Sequence, residues 1–144
     1  MSASVTAALK TIIATSLIHF YPPKHHPRAV SIIDDVLKEF PENSACILGR
    51  AYIMRDAEQW KEASDLFIMA AQLLSDNPFE QLKAQEEAAW SHAQLRNWSE
   101  GISRLQDILQ QWEDWEGRNG DCARCLWRLG KCYWAEGGTT YASA

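Results

Sequence analysis

The chain has 144 residues, 47% of them apolar and 23% charged, and a formal net charge of −5 at pH 7. That balance describes a folded globular chain with enough length for a core, and it excludes a disordered one. The acidic charge argues against a self-sufficient nucleic-acid binder, which would carry a basic face, and four cysteines behind no secretory pattern read as reduced thiols.

The first predicted helix spans Ser4 to Phe20, with Val5, Leu9, Ile12, Ile13, Ser16, Leu17 and Phe20 as its apolar positions. Its apolar run, interrupted by Thr15, Ser16 and His19, reads as too short and too polar to span a bilayer. Tyr21-Pro22-Pro23 stops it, because a residue before proline avoids the helical region and proline clashes with the preceding turn. A second helix starts at Pro27, turns Ala29, Ile32, Ile33, Val36, Leu37 and Phe40 inward, and ends at Pro41. The third runs from about Ser44 to Ala57 behind an Asn43 or Ser44 cap, and the fourth from about Gln59 to Leu74. Asn77-Pro78-Phe79-Glu80 reads as a capping box opening a fifth helix that reaches about Leu95. Asn97-Trp98-Ser99-Glu100 is a second such box, opening a sixth helix that ends near Glu116. After the break at Gly117-Arg118-Asn119-Gly120, Asp121 is the expected cap of a seventh helix, which Gly137-Gly138 should stop. No segment alternates with period two, so the fold class is all-α, with about seven helices.

The stretch beginning Trp60-Lys-Glu-Ala63 is repeated as Trp98-Ser-Glu-Gly101, with Phe67 and Leu105 in matching places. A fainter copy runs through Ala29, Ile33, Val36 and Pro41. Ala29 lies 34 positions before Ala63, and Ala63 lies 38 before Gly101. Periods of this size are the signature of stacked helical repeats. Leu48-Gly49-x-x-Tyr52, followed by Ala63 and Phe67, and Leu129-Gly130-x-x-Tyr133 give the chain a resemblance to tetratricopeptide repeats (TPR). Ala88-Ala89 and His92 stand where a third Leu-Gly and Tyr are expected. The resemblance implies antiparallel helix pairs in a right-handed superhelix. Its repeats would cover about residues 4–41, 43–76 and 78–116, with the first helix of a fourth at about 121–136. Gly49, Tyr52, Trp60, Ala63, Phe67, Trp98, Gly101, Leu105, Gly130 and Tyr133 are the implied packing residues, small ones letting helices meet and large ones filling the remainder.

Tyr21-Pro22-Pro23, Pro27-x-Ala29-Val30-x-Ile32-Ile33-Asp34, Glu86-Glu87-Ala88-Ala89-Trp90 and the block Ala123–Trp134 narrow the resemblance. Across about residues 21–138 the chain resembles the TPR scaffold subunits of superkiller (Ski) complexes. That resemblance implies a non-catalytic scaffold for mRNA decay in the cytoplasm, with the nucleus as the alternative compartment. Its partners would be an RNA helicase and WD40 subunits, with RNA passed to the exosome; no membrane or direct nucleic-acid contact is implied. A peptide-binding TPR adaptor of the chaperone-cofactor type, or a direct RNA-contacting module, are the alternatives.

The sequence offers few catalytic or ligand-binding groups. Cys122-x-x-Cys125 with Cys132 lacks the second pair that zinc wants, and with Cys46 these read as buried thiols. His25-His26, with His19 upstream, read as exposed turn histidines. Asp34-Asp35 and Glu86-Glu87 point in different directions on their helices, and no Gly-rich loop or nucleophile elbow accompanies them. No catalytic residue, cofactor or metal is expected. Arg124, Arg128 and Lys131 form a basic stripe that would either grip a partner's acidic segment or pair with Glu86 or Glu87. In the preceding repeat Lys83 and Glu87 hold the matching places. Trp60 and Trp98 read as packing residues, and one of Trp112 and Trp115 is expected to face out. Trp90, Trp127 and Trp134 are candidate interface anchors. With no helix following it, the seventh should expose Leu126, Leu129, Tyr133 and Trp134 and either self-associate or fray.

Overall fold

A computed structural model describes residues 2–143, with side chains described for residues 2–137. Its helices are α1 Ala3–Phe20, α2 His26–Glu39, α3 Ser44–Asp56, α4 Trp60–Leu73, α5 Pro78–Ala93, α6 Trp98–Glu113 and α7 Asn119–Ser143, with a 3-10 turn Pro23–His25 before α2. They pack as sequential antiparallel pairs with no strand among the described residues. Each helix lies against the next, α1 also touches α3, and α7 also touches α5.

The turns are set locally. Ser2, Asn43 and Asn77 cap α1, α3 and α5 by accepting from the backbone N–H three residues on, which satisfies a donor the helix start leaves unpaired. The second predicted box does not form: Asn97 makes no side-chain cap bond, and Glu100 accepts instead from His92 at 2.8 Å and Arg104 at 2.6 Å. Two side-chain partners, one of them the Arg104 guanidinium, hold Glu100 in place of one backbone N–H. The repeat is visible in the backbone as well. Glu58 and Arg96, each two residues before the matched tryptophans Trp60 and Trp98, both hold φ near +60° (59° and 67°). Gly117, at φ 83°, turns the chain after α6.

Helix α5 is the centre of the stack. Leu82, Ala84, Glu86, Glu87, Ala88, Ala89, Ser91 and Ala93 are all buried, so three of its sides are covered. Ala88 packs with Ala51, Ala63 and Phe67 toward α3 and α4, while Ala89 and Ala93 face Leu105 and α6. Methyl groups on α5 are what allow both neighbours to approach: a Cβ built on Gly101 would lie 2.5 Å from the Ala93 Cβ. Gly49 sits under the tips of Ile18 and Ile33, 3.1 and 3.2 Å from a built Cβ.

Several expectations are corrected. Helix α1 buries Ala7, Ala14, Leu17 and Ile18, while Val5, Leu9, Ile12, Ile13 and Phe20 are exposed. With a mean hydropathy of 1.4 over 18 residues, α1 is long and apolar enough to cross a membrane, against the reading of it as too short and polar. Helix α7 starts at Asn119, so Asp121 is not its cap, and the helix continues through Gly137-Gly138 to Ser143. Glycine weakens a helix interior by about 1 kcal/mol but stops it only when it turns left-handed, and Gly137 does not. Gly130 and Tyr133 are not packing residues here. No atom lies within 4 Å of a Cβ on Gly130, and Tyr133 is half exposed, because their face of α7 is turned out of the core that Cys125, Leu129 and Cys132 share with α5 and α6. Leu129, expected on that face, is buried.

Three glycine substitutions test this packing in opposite directions. Gly101→Leu should destabilise by about 1–3 kcal/mol, since the obstacle includes the α5 backbone and a methyl that cannot rotate away. Gly49→Ala should be milder, because the Ile18 and Ile33 tips can move. Gly130→Ala should raise stability by roughly 0.5–1 kcal/mol, having space and a helical backbone. Thermal or denaturant melts of the three read the signs directly.

Candidate functional site

The candidate residues lie where α7 runs along α5 and α6, and α7 divides them between two faces. The inner face carries Cys125, Arg128, Leu129 and Cys132, all buried, with Arg124 and Asp121 partly covered. The outer face carries Leu126, Trp127, Gly130, Lys131, Tyr133 and Trp134, all exposed.

The inner face is organised on one carboxylate. Glu86 on α5 is fully buried, and it accepts from Trp112 Nε1 at 2.9 Å, from Arg124 Nε and Nη2 at 2.8 and 2.9 Å, and from Arg128 Nη1 at 2.5 Å. Arg124 also donates to Asp121 at 2.8 Å. Arg128 then reaches Glu87 at 2.9 Å, and Glu87 accepts from Arg55 of α3 at 3.0 Å. A continuous chain of ion pairs therefore joins α3, α5 and α7, with the α6 indole as a further donor. Burial works against ionising Glu87, yet Arg128 and Arg55 outweigh it and hold its carboxyl below the usual range. Its hydrogen bonds to Glu86 raise the pKa of Arg124, against the cost of burial. Burial, with the Glu86 charge adding to it, pushes the Cys125 thiol up to about 12, and that thiol donates to the Leu105 carbonyl.

Arg124 and Arg128 are therefore turned into the fold: of the two roles open to them, the structure shows the pairing with Glu86 and Glu87, and their donors are taken by Glu86, Glu87 and Asp121. Glu86-Glu87 is an arginine-bound pair, and Asp34 pairs with Arg50 at 2.6 Å. Lys83 lies over the Phe79 ring, 6.0 Å from its centre. His25 and His26 are half-buried, not exposed, with His25 edge-on to Tyr21. Among the described residues no three His, Cys, Asp or Glu side chains converge as metal ligands would. Trp112 is buried and Trp115 half-buried; they stack at 5.9 Å, with Arg118 over Phe79 and Trp115. Trp60 and Trp98 are half-buried. Arg55 and the Trp112 indole are members of the network that spacing alone does not find, since neither lies near Glu86 in the chain.

The outer face keeps its exposure. Trp127 is 59% exposed and Trp134 83%. Trp127 tilts against half-buried Trp90 at 5.9 Å, Arg128 lies over the Trp90 ring at 5.5 Å from its centre, and Lys131 lies 5.2 Å from that of Trp127. On the opposite flank Gln106 Nε2 donates to the Tyr133 hydroxyl. Trp127 and Tyr133 are thus held by neighbours, while Trp134 stands out from the surface.

Comparison with known proteins gives a distant relative. The chain is 25% identical over 122 residues to Superkiller protein 3 of Saccharomyces cerevisiae (strain ATCC 204508 / S288c), a TPR protein. The match covers 84% of this chain, and the chain spans about 8% of that relative's length. No family model matches the chain. The all-helical pairing is consistent with TPR repeats.

Glu86→Ala should cost about 3–5 kcal/mol, because it leaves buried Arg128 and the Trp112 N–H facing an empty carboxylate site. The double variant Glu87→Ala, Arg128→Ala should lose less than the sum of its single losses, and an additive result would remove Arg128–Glu87 as a coupled pair. The lowered Glu87 pKa also sets an acid limb. Its stabilisation is present above the ordinary value of 4.5 and is lost as pH falls through the lowered folded value. Acid melts should decline below that point, and Glu87→Gln should flatten the decline.

Proposed function

We propose that the chain is a non-catalytic protein–protein interaction scaffold of the superkiller type, working in the cytoplasm. The observation that carries this reading is the similarity over 122 residues to Superkiller protein 3. The geometry supports it with a stack of paired helices cross-braced by internal ion pairs, presenting pre-positioned aromatics instead of a reactive cluster. By that resemblance its partners are an RNA helicase and WD40 subunits, in an assembly that delivers mRNA to the exosome. The surface offered to them is the flank of α7 that leans over α5, where Trp90, Trp127 and Lys131 meet.

The two alternatives draw less support. A peptide adaptor that grips a terminal carboxylate needs uncommitted cations, and Arg124 and Arg128 already hold carboxylates. Direct RNA contact would rely on the same two arginines and would leave Lys131, itself seated on Trp127, as the cation of that face.

Co-expression of this chain with superkiller-type helicase and WD40 subunits tests the reading. At least one should co-purify, with little change between 100 mM and 500 mM salt. Trp127→Ala with Lys131→Glu should weaken capture at least tenfold while leaving the melting temperature within a few degrees, since both side chains are exposed. If neither subunit is retained by a folded chain, the superkiller assignment falls. A steep salt dependence with an RNA ligand would favour the RNA module instead.

A further inference from the structure

Helices α2, α4 and α6, the second of each pair, leave two equivalent grooves between them. One runs between α2 and α4 over α3, the other between α4 and α6 over α5. Their cavities are of similar size, about 420 and 410 Å³, but their linings differ. In the first, Arg50 of α3 lies in the groove and donates to Asp34 of α2 at 2.6 Å. The second is walled by Ile68 and Gln72 of α4 and by Arg104 and Asp107 of α6, over Gln85 and Ala88 of α5. Helices precede and follow all three, so this groove is not an end of the stack.

The repeat says which groups the second groove lacks. The caps Asn43 and Asn77 lie 34 positions apart, as Ala29 and Ala63 do, and that count sets Ile68 where the first groove has Asp34. The left-handed residues Glu58 and Arg96 lie 38 apart. Counted from the caps, Arg50 matches Ala84; counted from the left-handed residues, it matches Ala88, about one helical turn on. Either way an alanine on that side of α5 stands in place of the arginine. The second groove therefore has neither half of the Arg50–Asp34 bridge. What it has instead is Asp107, at the position that Met69 holds in the first. Among the described residues no side chain pairs with the Asp107 carboxylate: Gln111 reaches only its backbone carbonyl, and Arg104 is held toward Glu100 at 2.6 Å.

We infer that the α4–α6 groove takes an arginine side chain from a partner protein, with its stem over Ile68 and Ala88 and its guanidinium on Asp107. The chain's own Arg50 shows that a groove of this size accommodates that side chain. An apolar stem under a planar charged head matches an apolar floor with one carboxylate at its lip. Lysine would supply the charge without the forked contact, and an acidic segment would be repelled by Asp107. Gln72 and Gln85, both exposed, offer amide donors and acceptors to the main chain around that arginine. A single exposed charge pair is screened, so this contact is weak and salt-sensitive. That the occupant is a protein rests on the scaffold reading, but no residue of the groove belongs to the α7 surface tested above.

The probe is the capped tripeptide acetyl-Leu-Arg-Ala-amide, titrated into the isotope-labelled full chain and followed by backbone amide NMR. The amides of Ile68, Gln85, Ala88 and Asp107 should shift together, with a Kd on the order of 1 mM. Citrulline in place of the arginine should weaken binding about tenfold, and Asp107→Asn roughly fivefold. Ile68→Asp restores the carboxylate of the first groove and should strengthen binding. Ile68→Lys supplies a cation from within and should abolish it. Residue 68 is exposed, so both variants should melt within a few degrees of the unmodified chain. Arg50→Ala is the control, since it frees Asp34 and should let the same peptide bind there. A peptide that binds beside Asp34 in that variant and never in the α4–α6 groove overturns the inference. Equal binding of the arginine and citrulline peptides does so too, as does an Asp107→Asn chain that binds undiminished. No binding at either groove up to about 20 mM also overturns it. Groove binding by a chain that retains neither helicase nor WD40 subunit would remove the superkiller assignment and leave the groove. Retention of a subunit with a silent groove would do the reverse.

Discussion

The structure depends on a buried carboxylate that has four hydrogen bonds. A Glu86 side chain with no exposed surface would, if unpaired, cost several kcal/mol in desolvation, and the fold tolerates it because two arginines and an indole converge on it. Each donor comes from a different place: Arg124 and Arg128 from successive turns of α7, Trp112 from the end of α6. Satisfying all of them at once fixes the rotation of α7 about its own axis. Sliding α7 by one residue would break the Arg124 fork and leave a charge in the core. Nearby apolar groups such as Leu129 and Cys132 would tolerate such a slip far better. What the network supplies is register more than net stability, because buried ion pairs seldom outperform apolar packing.

That register decides which residues face a partner. Once Arg128 points at Glu86 and Glu87, the helix must turn Gly130, Tyr133 and Trp134 outward, about half a turn away. Arg124 and Arg128 are consumed inside, and the aromatics are left outside beside Lys131. The chain extends the same device backward: Arg55 closes on Glu87 and lies over Tyr52, whose hydroxyl burial and the Glu87 charge push up to about 12. Three first-of-pair helices, α3, α5 and α7, are thus connected by charges while their partner helices are joined by methyl groups and glycine.

Much of the fold was legible because its punctuation is local. Pro22-Pro23, Pro41, Asn77-Pro78 and Gly117 act on the residues beside them, and every helix they bound appears within a few residues of its expected place. The failures share a different cause. Helix α1 is apolar nearly all round, so periodicity could not choose between the Ala7–Ala14–Ile18 side and the Leu9–Ile12–Phe20 side. Glu100 looked like the reciprocal half of a cap, but His92 sits eight residues away and across a turn, where a local motif cannot see it. For the basic stripe, the pairing with Glu86 and Glu87 was a recognisable alternative. Choosing it required knowing that residues 38 to 42 positions apart meet, and that Arg55 and Trp112 help them.

The three glycines make the same point in finer detail. Gly49, Gly101 and Gly130 look alike in a repeat pattern, each a small residue where helices should meet. One lies under flexible isoleucine tips, one against a fixed methyl and backbone, and one under open space. A small residue in a sequence marks a close approach, but only the fold says whether the approaching body belongs to the same chain. At Gly130 the surrounding residues are large on both sides, which is uneconomical for a solvent-facing turn and destabilising to leave in water. On that face Trp127 leans on Trp90 and the Tyr133 hydroxyl accepts from Gln106, so two of the rings are held by contacts on the inner flanks. Because Arg124 and Arg128 are turned inward, a contact made through this face would have to come mainly from shape and apolar area, and so should tolerate salt.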